Sequence, residues 1–220
     1  MDADGILNGR QVAEGEKIAA MICVKDFTED RYLVMATKSG IIKPDALVVT
    51  SLQKPDAMDV LEAKTAEVAD ELFKFGMHFE ALNVRKESIG QRFDAKTLAG
   101  EYKDLFIPLY GDYQAENAVL AIAAVEAFLG GGQHRLMDDV VRVAMADASS
   151  PGRLQVVSRK PLVILDAAHN PGGAATLARA LDRDFGSPRT IAVLSILAEK
   201  DARGILNALA DDVHEFVITQ

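Results

Sequence analysis

The feature that most restricts this chain is an alternation in its last third, where short uninterrupted apolar runs take turns with helical patterns. Leu162–Leu165 (LVIL), Ile191–Leu194 (IAVL) and Glu215–Thr219 are strand candidates. An alanine-rich stretch, Gly172–Leu181, and a second helical stretch, Ala202–Leu209, lie between them. Apolar runs without polar alternation suit strands covered on both faces, and intervening helices supply the cover. The expectation is an α/β fold with a parallel sheet flanked by helices. The chain stops at Gln220, directly after the last strand, so part of that sheet is expected to lack its cover.

Upstream, Ser149-Ser150-Pro151-Gly152 is a turn signal and the best domain boundary. Before it come a strand at Leu47–Thr50 and a helical segment opened by Pro55. The segment runs from Asp56 to Phe73, with Met58, Val60, Leu61, Val68 and Leu72 near helical spacing. Three short strands follow within residues 76–110 (HFEALNV, IGQRFDA, DLFIPLY). A helix from Tyr113 to Leu129 ends at Gly130-Gly131-Gly132, and a shorter one covers Leu136–Ala146. The N-terminal residues read differently: KIAAMICV (17–24) and YLVMA (32–36) flank the charged KDFTEDR, a hairpin pattern with a turn at Lys38-Ser39-Gly40.

The net charge of −9 opposes general binding to nucleic acid or anionic membranes, and anionic substrates would need locally placed Arg, Lys, Mg²⁺ or helix N-termini. Cys23 is the single cysteine, which excludes an intramolecular disulfide and a cysteine zinc cluster. Residues 1–15 are polar and acidic, unlike a secretory signal, and no apolar run approaches the ~20 residues that span a bilayer. A soluble cytoplasmic protein is expected.

Residues 162–173, LVILDAAHNPGG, form the most informative stretch. A strand delivers Asp166 at its carboxyl end, where parallel sheets bind ligands. Asp166 can accept hydrogen bonds from ribose hydroxyls, with His169 and Asn170 close by. Alternatively, Asp166 and Asn170 cap the helix that follows Pro171. Arg153 follows a Pro-Gly turn, where its forked donors can reach a phosphate or remain a solvated charge. Gly111, Gln114 and Asn117 make G-x-x-Q-x-x-N at a helix start, placing two amides on one face to read a base edge or to cap. Asp201 reads as a helix cap, and Lys200 as a solvated charge or a phosphate contact. His78, His134 and His214 lack metal-ligand spacing.

GIIKP (40–44), GDYQAEN (111–117), SPGRL (150–154), LDAAHNPGG (165–173) and LAEKDARGIL (197–206) occur in this order. From Gly40 onward the chain resembles the folylpolyglutamate/dihydrofolate synthase branch of the Mur ligase family. The resemblance implies a partial central domain (40–148) followed by a Rossmann-like C-terminal domain (149–220), both incomplete. It also implies an ATP-dependent ligase that adds L-glutamate to a folate or dihydropteroate carboxylate through an acyl phosphate, with Mg²⁺ as cofactor. Carried over by motif, Asn117 would approach the adenine, Arg153 the phosphates and Asp166 the ribose, with His169 beside the nucleotide. Gln114, Asn170 and Lys200 are further candidates. Lys38, in KSGIIKP, matches the family's carbamylated metal-holding lysine, although Thr37 and Ser39 depart from the flanking pattern. The glycine-rich P-loop pattern G-x-x-x-x-G-K-[ST] occurs nowhere in the sequence. The isolated chain is therefore expected to lack ligase activity.

Residues 14–43, EGEKIAAMICVKDFTEDRYLVMATKSGIIK, resemble a blade of the C-terminal pinwheel of the DNA gyrase A subunit. The two resemblances overlap at Lys38–Lys43, which suggests a join there, with 1–39 as a gyrase-like segment. The alternatives this raises are a DNA-binding module, which the negative charge opposes, or a chimeric folded protein without activity.

Overall fold

The computed structural model describes residues 46–69, 71–186 and 189–219. The N-terminal hairpin pattern, the gyrase-like segment 14–43, the GIIKP string and Lys38 lie outside the described residues. Two compact units divide the described chain. Of the described residues, the smaller takes 46–48 together with Lys54–Leu72, and the larger takes Val49–Gln53 with residues from Phe73 onward.

In the smaller unit, Pro55 occupies the first turn of α1 (Pro55–Val68), where its missing N–H leaves no hydrogen bond unmade. Ala46 and Val48, the latter on β1 (Leu47–Thr50), pack with Leu61, Val68, Ala69 and Leu72. The helix ends earlier than its apolar spacing suggested. Ala69 is already extended, and Glu71–Lys74 form strand β2, which pairs with β1. Leu72 thus joins the same apolar cluster from a strand. The ladder satisfies backbone groups that a longer helix would have paired internally, so tertiary pairing overrides the local period.

The larger unit begins with an antiparallel sheet of β3 (Glu80–Lys86), β4 (Gln91–Lys96) and β5 (Glu101–Ile107), in that order. Gln91, Phe93 and Ala95 alternate inward along β4, as a pleated strand requires. Helix α2 (Tyr113–Gly130) packs on β3 and β4, burying Ala115, Ala118, Val119, Ile122 and Ala123. It stops where the glycines predicted, with Gly131 in the left-handed conformation at φ 60°, its N–H returned to the Ala127 carbonyl and that of Gly132 to the Glu126 carbonyl. Glu126 is wholly buried on α2, yet its carboxylate accepts from Thr97 Oγ1, Ala99 N–H and the Tyr102 hydroxyl. Helix α3 (Asp138–Ala146) is anchored to β5 by Arg142, which donates to the carbonyls of Lys103 and Asp104.

The last part supplies β6 (Gln155–Arg159), β7 (Leu162–Leu165), α4 (Pro171–Phe185), β8 (Ile191–Leu194), α5 (Ala202–Leu209) and β9 (Glu215–Ile218). The α/β class holds, and β8 pairs with β9 in parallel. Two expectations change. Strand β7 pairs with β6 in antiparallel fashion, and the apolar runs are not covered on both faces. Helices α4 and α5 contribute to one cluster, Ala174, Ala178, Ile205 and Leu209, which meets Ala192, Leu194 and Phe216. The alternate residues point away: Val193 is 67% exposed and Ile191 56%. Both helices lie on one side, so the period-2 alternation of a strand leaves half of each apolar run open. None of the described helices is long and apolar enough to cross a membrane.

Candidate functional site

Three loops that the sequence marks separately come together. The first is the turn before β6. There Arg153 N–H donates to the Ser150 carbonyl at 3.1 Å, and Leu154 is buried at the positive φ of 47°. The second is the loop from β7 to α4. One oxygen of Asp166 accepts the N–H of Leu154 at 2.9 Å, and the other accepts that of Ala168 at 2.8 Å. Ala167 N–H donates to the Gly152 carbonyl at 2.8 Å, so turn and loop are joined by two hydrogen bonds of opposite sense. Asp166 therefore does not cap α4. That role falls to Asn170, whose side-chain oxygen accepts the Gly173 N–H at 2.8 Å.

The third loop is the start of α2. Asp112 caps it, accepting from Tyr113 N–H, and Tyr113 packs against the cluster of Tyr110, Leu154 and Ala180. The Tyr113 phenol is pushed up first by burial and next by the negative charge of Asp166, while Arg153 pulls it down. Its packing against the cluster that holds Leu154 sets Tyr113 beside the arginine turn. Gln114 is buried and accepts from the Asn117 amide at 3.4 Å, whereas Asn117 itself is exposed. The Asn117 carbonyl oxygen and the exposed Arg153 guanidinium remain outward-facing polar groups.

His169 is exposed, with Nδ1 3.1 Å from the Ala167 carbonyl. Lys200 lies in the loop from β8 to α5 and is half-buried, its N–H bonded to the Leu197 carbonyl at 2.9 Å. Asp201 caps α5 by accepting Gly204 N–H at 2.8 Å, as its position suggested. A Cβ on Gly204 would stand 2.6 Å from Pro171 Cγ, so α5 begins against the start of α4. Lys200 thus belongs to the Asn170–Pro171 side of the region and not to the arginine turn. A cleft of about 240 Å³ beside that turn is lined by Pro108, Tyr110, Pro151, Arg153 and Arg159, among others.

Sequence reasoning missed Tyr113, Asp184 and Gln91 as parts of this region. The signals were present: Asp184 falls three residues after Leu181 on the buried stripe of α4, and Gln91 sits on the inward face of β4. A carboxylate or an amide at an apolar-face position marks a group with a buried partner. Among the described residues no cluster of three or more His, Cys, Asp or Glu side chains could hold a metal ion. Amide, guanidinium and carboxylate groups at a strand end suit a nucleotide.

Comparison with known families decides which frame this is. The family described as Mur ligase, glutamate ligase domain, matches residues 152–220. Residues 152–220 belong to the Mur ligase glutamate ligase domain family. The chain is also 39% identical over 193 residues to the dihydrofolate synthase/folylpolyglutamate synthase of Mycobacterium tuberculosis, covering 84% of this chain and 40% of that protein. It is 35% identical over 172 residues to the folylpolyglutamate synthase of Lacticaseibacillus casei, covering 78% of this chain and 40% of that one. The M. tuberculosis folylpolyglutamate synthase complexed with ADP and AMPPCP superposes with a TM-score of 0.77 at 40% identity, over 80% of this chain and 39% of that one. An FPGS–AMPPCP–folate complex gives a TM-score of 0.75 at 32% identity, over 83% of this chain and 45% of the other. The homology to folylpolyglutamate and dihydrofolate synthases thus extends well beyond the glutamate ligase domain. The chain spans about two fifths of the length of the curated relatives it matches.

Proposed function

We propose that this chain carries the adenine-nucleotide side of an ATP-dependent ligase that joins L-glutamate to a folate or dihydropteroate carboxylate in the cytoplasm. In this reading residues 40–148 are part of the central domain and 149–220 part of the glutamate ligase domain. The observation that supports it most is the double hydrogen bond joining the Arg153 turn to the Asp166 loop, beside the cluster against which Tyr113 packs. It sets a guanidinium and a carboxylate on one ledge at the carboxyl end of β7, near the start of the helix that bears Asn117.

The side chains divide the work by chemistry. Asn117, exposed on α2, offers an amide to the adenine edge. Arg153 offers forked donors to phosphate oxygens. Asp166 keeps lone pairs free after accepting two N–H groups, and these suit ribose hydroxyls. His169 lies beside the same ledge, with Gln114, Asn170 and Lys200 holding or extending it. ATP supplies the phosphoryl group that activates the carboxylate, and Mg²⁺ would neutralise its charge. The sequence offers no Gly-Lys cradle for the terminal phosphates, so the isolated chain binds nucleotide without turning it over.

A thermal melt with and without ADP tests this, because a ligand that binds only the folded state raises the midpoint. The relevant variants are Asn117→Ala and Arg153→Ala, whose side chains are exposed. The upward shift should shrink in both while their ligand-free midpoints stay close to wild type. A wild-type midpoint indifferent to ADP, or a shift that both variants retain in full, would overturn the reading. Folate- and glutamate-dependent ATP hydrolysis by the isolated chain would overturn the prediction of inactivity.

A further inference from the structure

The backbone just before α2 is gripped from two sides by buried side chains that the nucleotide reading does not use. Gln91 has no exposed surface, and its amide nitrogen donates to the carbonyls of Leu109 at 3.2 Å and Gly111 at 2.7 Å. Asp184, 7% exposed, accepts the Gly111 N–H at 2.7 Å with one oxygen and Arg183 Nε at 2.8 Å with the other. Arg183 also reaches Asp112, the cap of α2, at 3.6 Å. The Tyr110 ring lies 4.9 Å from that of Phe185, and its hydroxyl donates to Ser88 O and accepts from Arg159. Gly111 bends the chain at φ 92° between these contacts.

The grip links two loops through one helix. Asp184 and Phe185 form the last turn of α4, whose first turn follows directly on the Asp166 loop and is capped by Asn170. What Asp184 holds is the residue before α2, the helix that bears Asn117. A 15-residue helix is a stiff rod of roughly 22 Å, so fixing one end on Gly111 orients the loop at the other. A buried carboxylate costs desolvation that an apolar residue would avoid, and its return is a single peptide orientation. Gln91 Oε1 is buried without a hydrogen-bond partner, so its amide is retained at a cost for the two bonds from its nitrogen.

We propose that Asp184 and Gln91 are positioning residues for the candidate nucleotide site: they clamp Gly111 so that the start of α2 and the Asp166 loop keep one mutual geometry. The proposal rests on the nucleotide reading above. It takes no part in contacting the ligand.

The test uses Asp184→Leu, Asp184→Asn and Gln91→Met in the full chain. Each is followed by ADP titration well below its melting midpoint and by amide hydrogen exchange over residues 111–117 and 167–173. Asp184→Leu and Gln91→Met should weaken ADP about tenfold, equivalent to 1.4 kcal/mol, and speed exchange in both segments together. Asp184→Asn keeps an acceptor for the Gly111 N–H and should restore most of the affinity, which a general loss of stability would not allow. If Asp184→Leu fails to fold, Gln91→Met and Asp184→Asn carry the comparison. Wild-type ADP affinity in Asp184→Leu and Gln91→Met, or exchange that quickens in one segment alone, overturns the clamp. If wild type itself does not bind ADP, the nucleotide reading fails, and joint or separate quickening of exchange still supports or overturns the clamp.

Discussion

The Asp166 carboxylate accepts the N–H of Leu154 at 2.9 Å, and so the residue that follows β7 also fixes the turn that carries Arg153. Leu154 sits at a φ of 47°, a conformation disfavoured for a branched side chain, and is 1% exposed. Removing both Asp166 hydrogen bonds should cost about 1–3 kcal/mol in Asp166→Ala, read from urea unfolding. Asp166→Asn keeps one acceptor and should fall between the two. Asp166→Ala is therefore a compound probe of nucleotide binding, and equal stability of that variant and wild type would remove the structural part.

Asn170→Ala should destabilise the chain by about 1 kcal/mol, because the Gly173 N–H at the start of α4 loses its acceptor. Asn170→Asp and Asn170→Ser supply an equivalent oxygen and should stay close to wild type. Melting midpoints of the three variants suffice. A loss with Asp as large as with Ala would mean that Asn170 acts through something other than the cap.

Tyr102 links stability to alkaline pH. Its hydroxyl is pushed up to about 12, first by burial and next by the charge of Glu126, to which it donates a hydrogen bond at 3.1 Å. In the unfolded chain a tyrosine ionises near pH 10. The contribution is therefore fully present below pH 10 and is lost as pH rises from there to about 12. Tyr102→Phe should lower stability at neutral pH and flatten the decline across that window. Unfolding midpoints measured from pH 8 upward check the sign, and an unchanged alkaline slope in the variant would contradict it.

Two glycines with positive φ should respond differently to alanine. A Cβ on Gly131 meets nothing within 4 Å, so Gly131→Ala carries only the backbone cost, about 1 kcal/mol. A Cβ on Gly111 would stand 2.4 Å from the Tyr113 ring, which must move. Gly111→Ala should lose more stability than Gly131→Ala, and should also weaken ADP binding, because the displaced ring lies within the field of Asp166 and Arg153. Calorimetric melts rank the two, and nucleotide titration separates the second effect.

The local grammar of the chain was legible where one segment decides its own conformation. The bounds of β7, β8 and α5, the glycine stop after α2, and the caps at Asn170 and Asp201 follow from neighbours within one or two turns. The places of Arg153, Asp166 and Asn117 were legible to the same extent, because they stand in motifs whose turns and helix starts are local; their roles toward a nucleotide are the proposal made above. The misreadings arose where distant partners compete. Glu71–Phe73 left the helical pattern because β1 offered a ladder, and β7 took β6 as an antiparallel neighbour.

What the sequence by itself determined is the α/β class and most of the helices and strands, without β2 and β6, because apolar period and capping are short-range properties. Only the tertiary structure decided that Asp166 holds Leu154, that Asp184 grips Gly111, and that β7 takes β6 as an antiparallel neighbour. Each of these depends on which segments far apart in the chain meet, and the burial or satisfaction of a polar group is settled by that partner rather than by its neighbours in sequence.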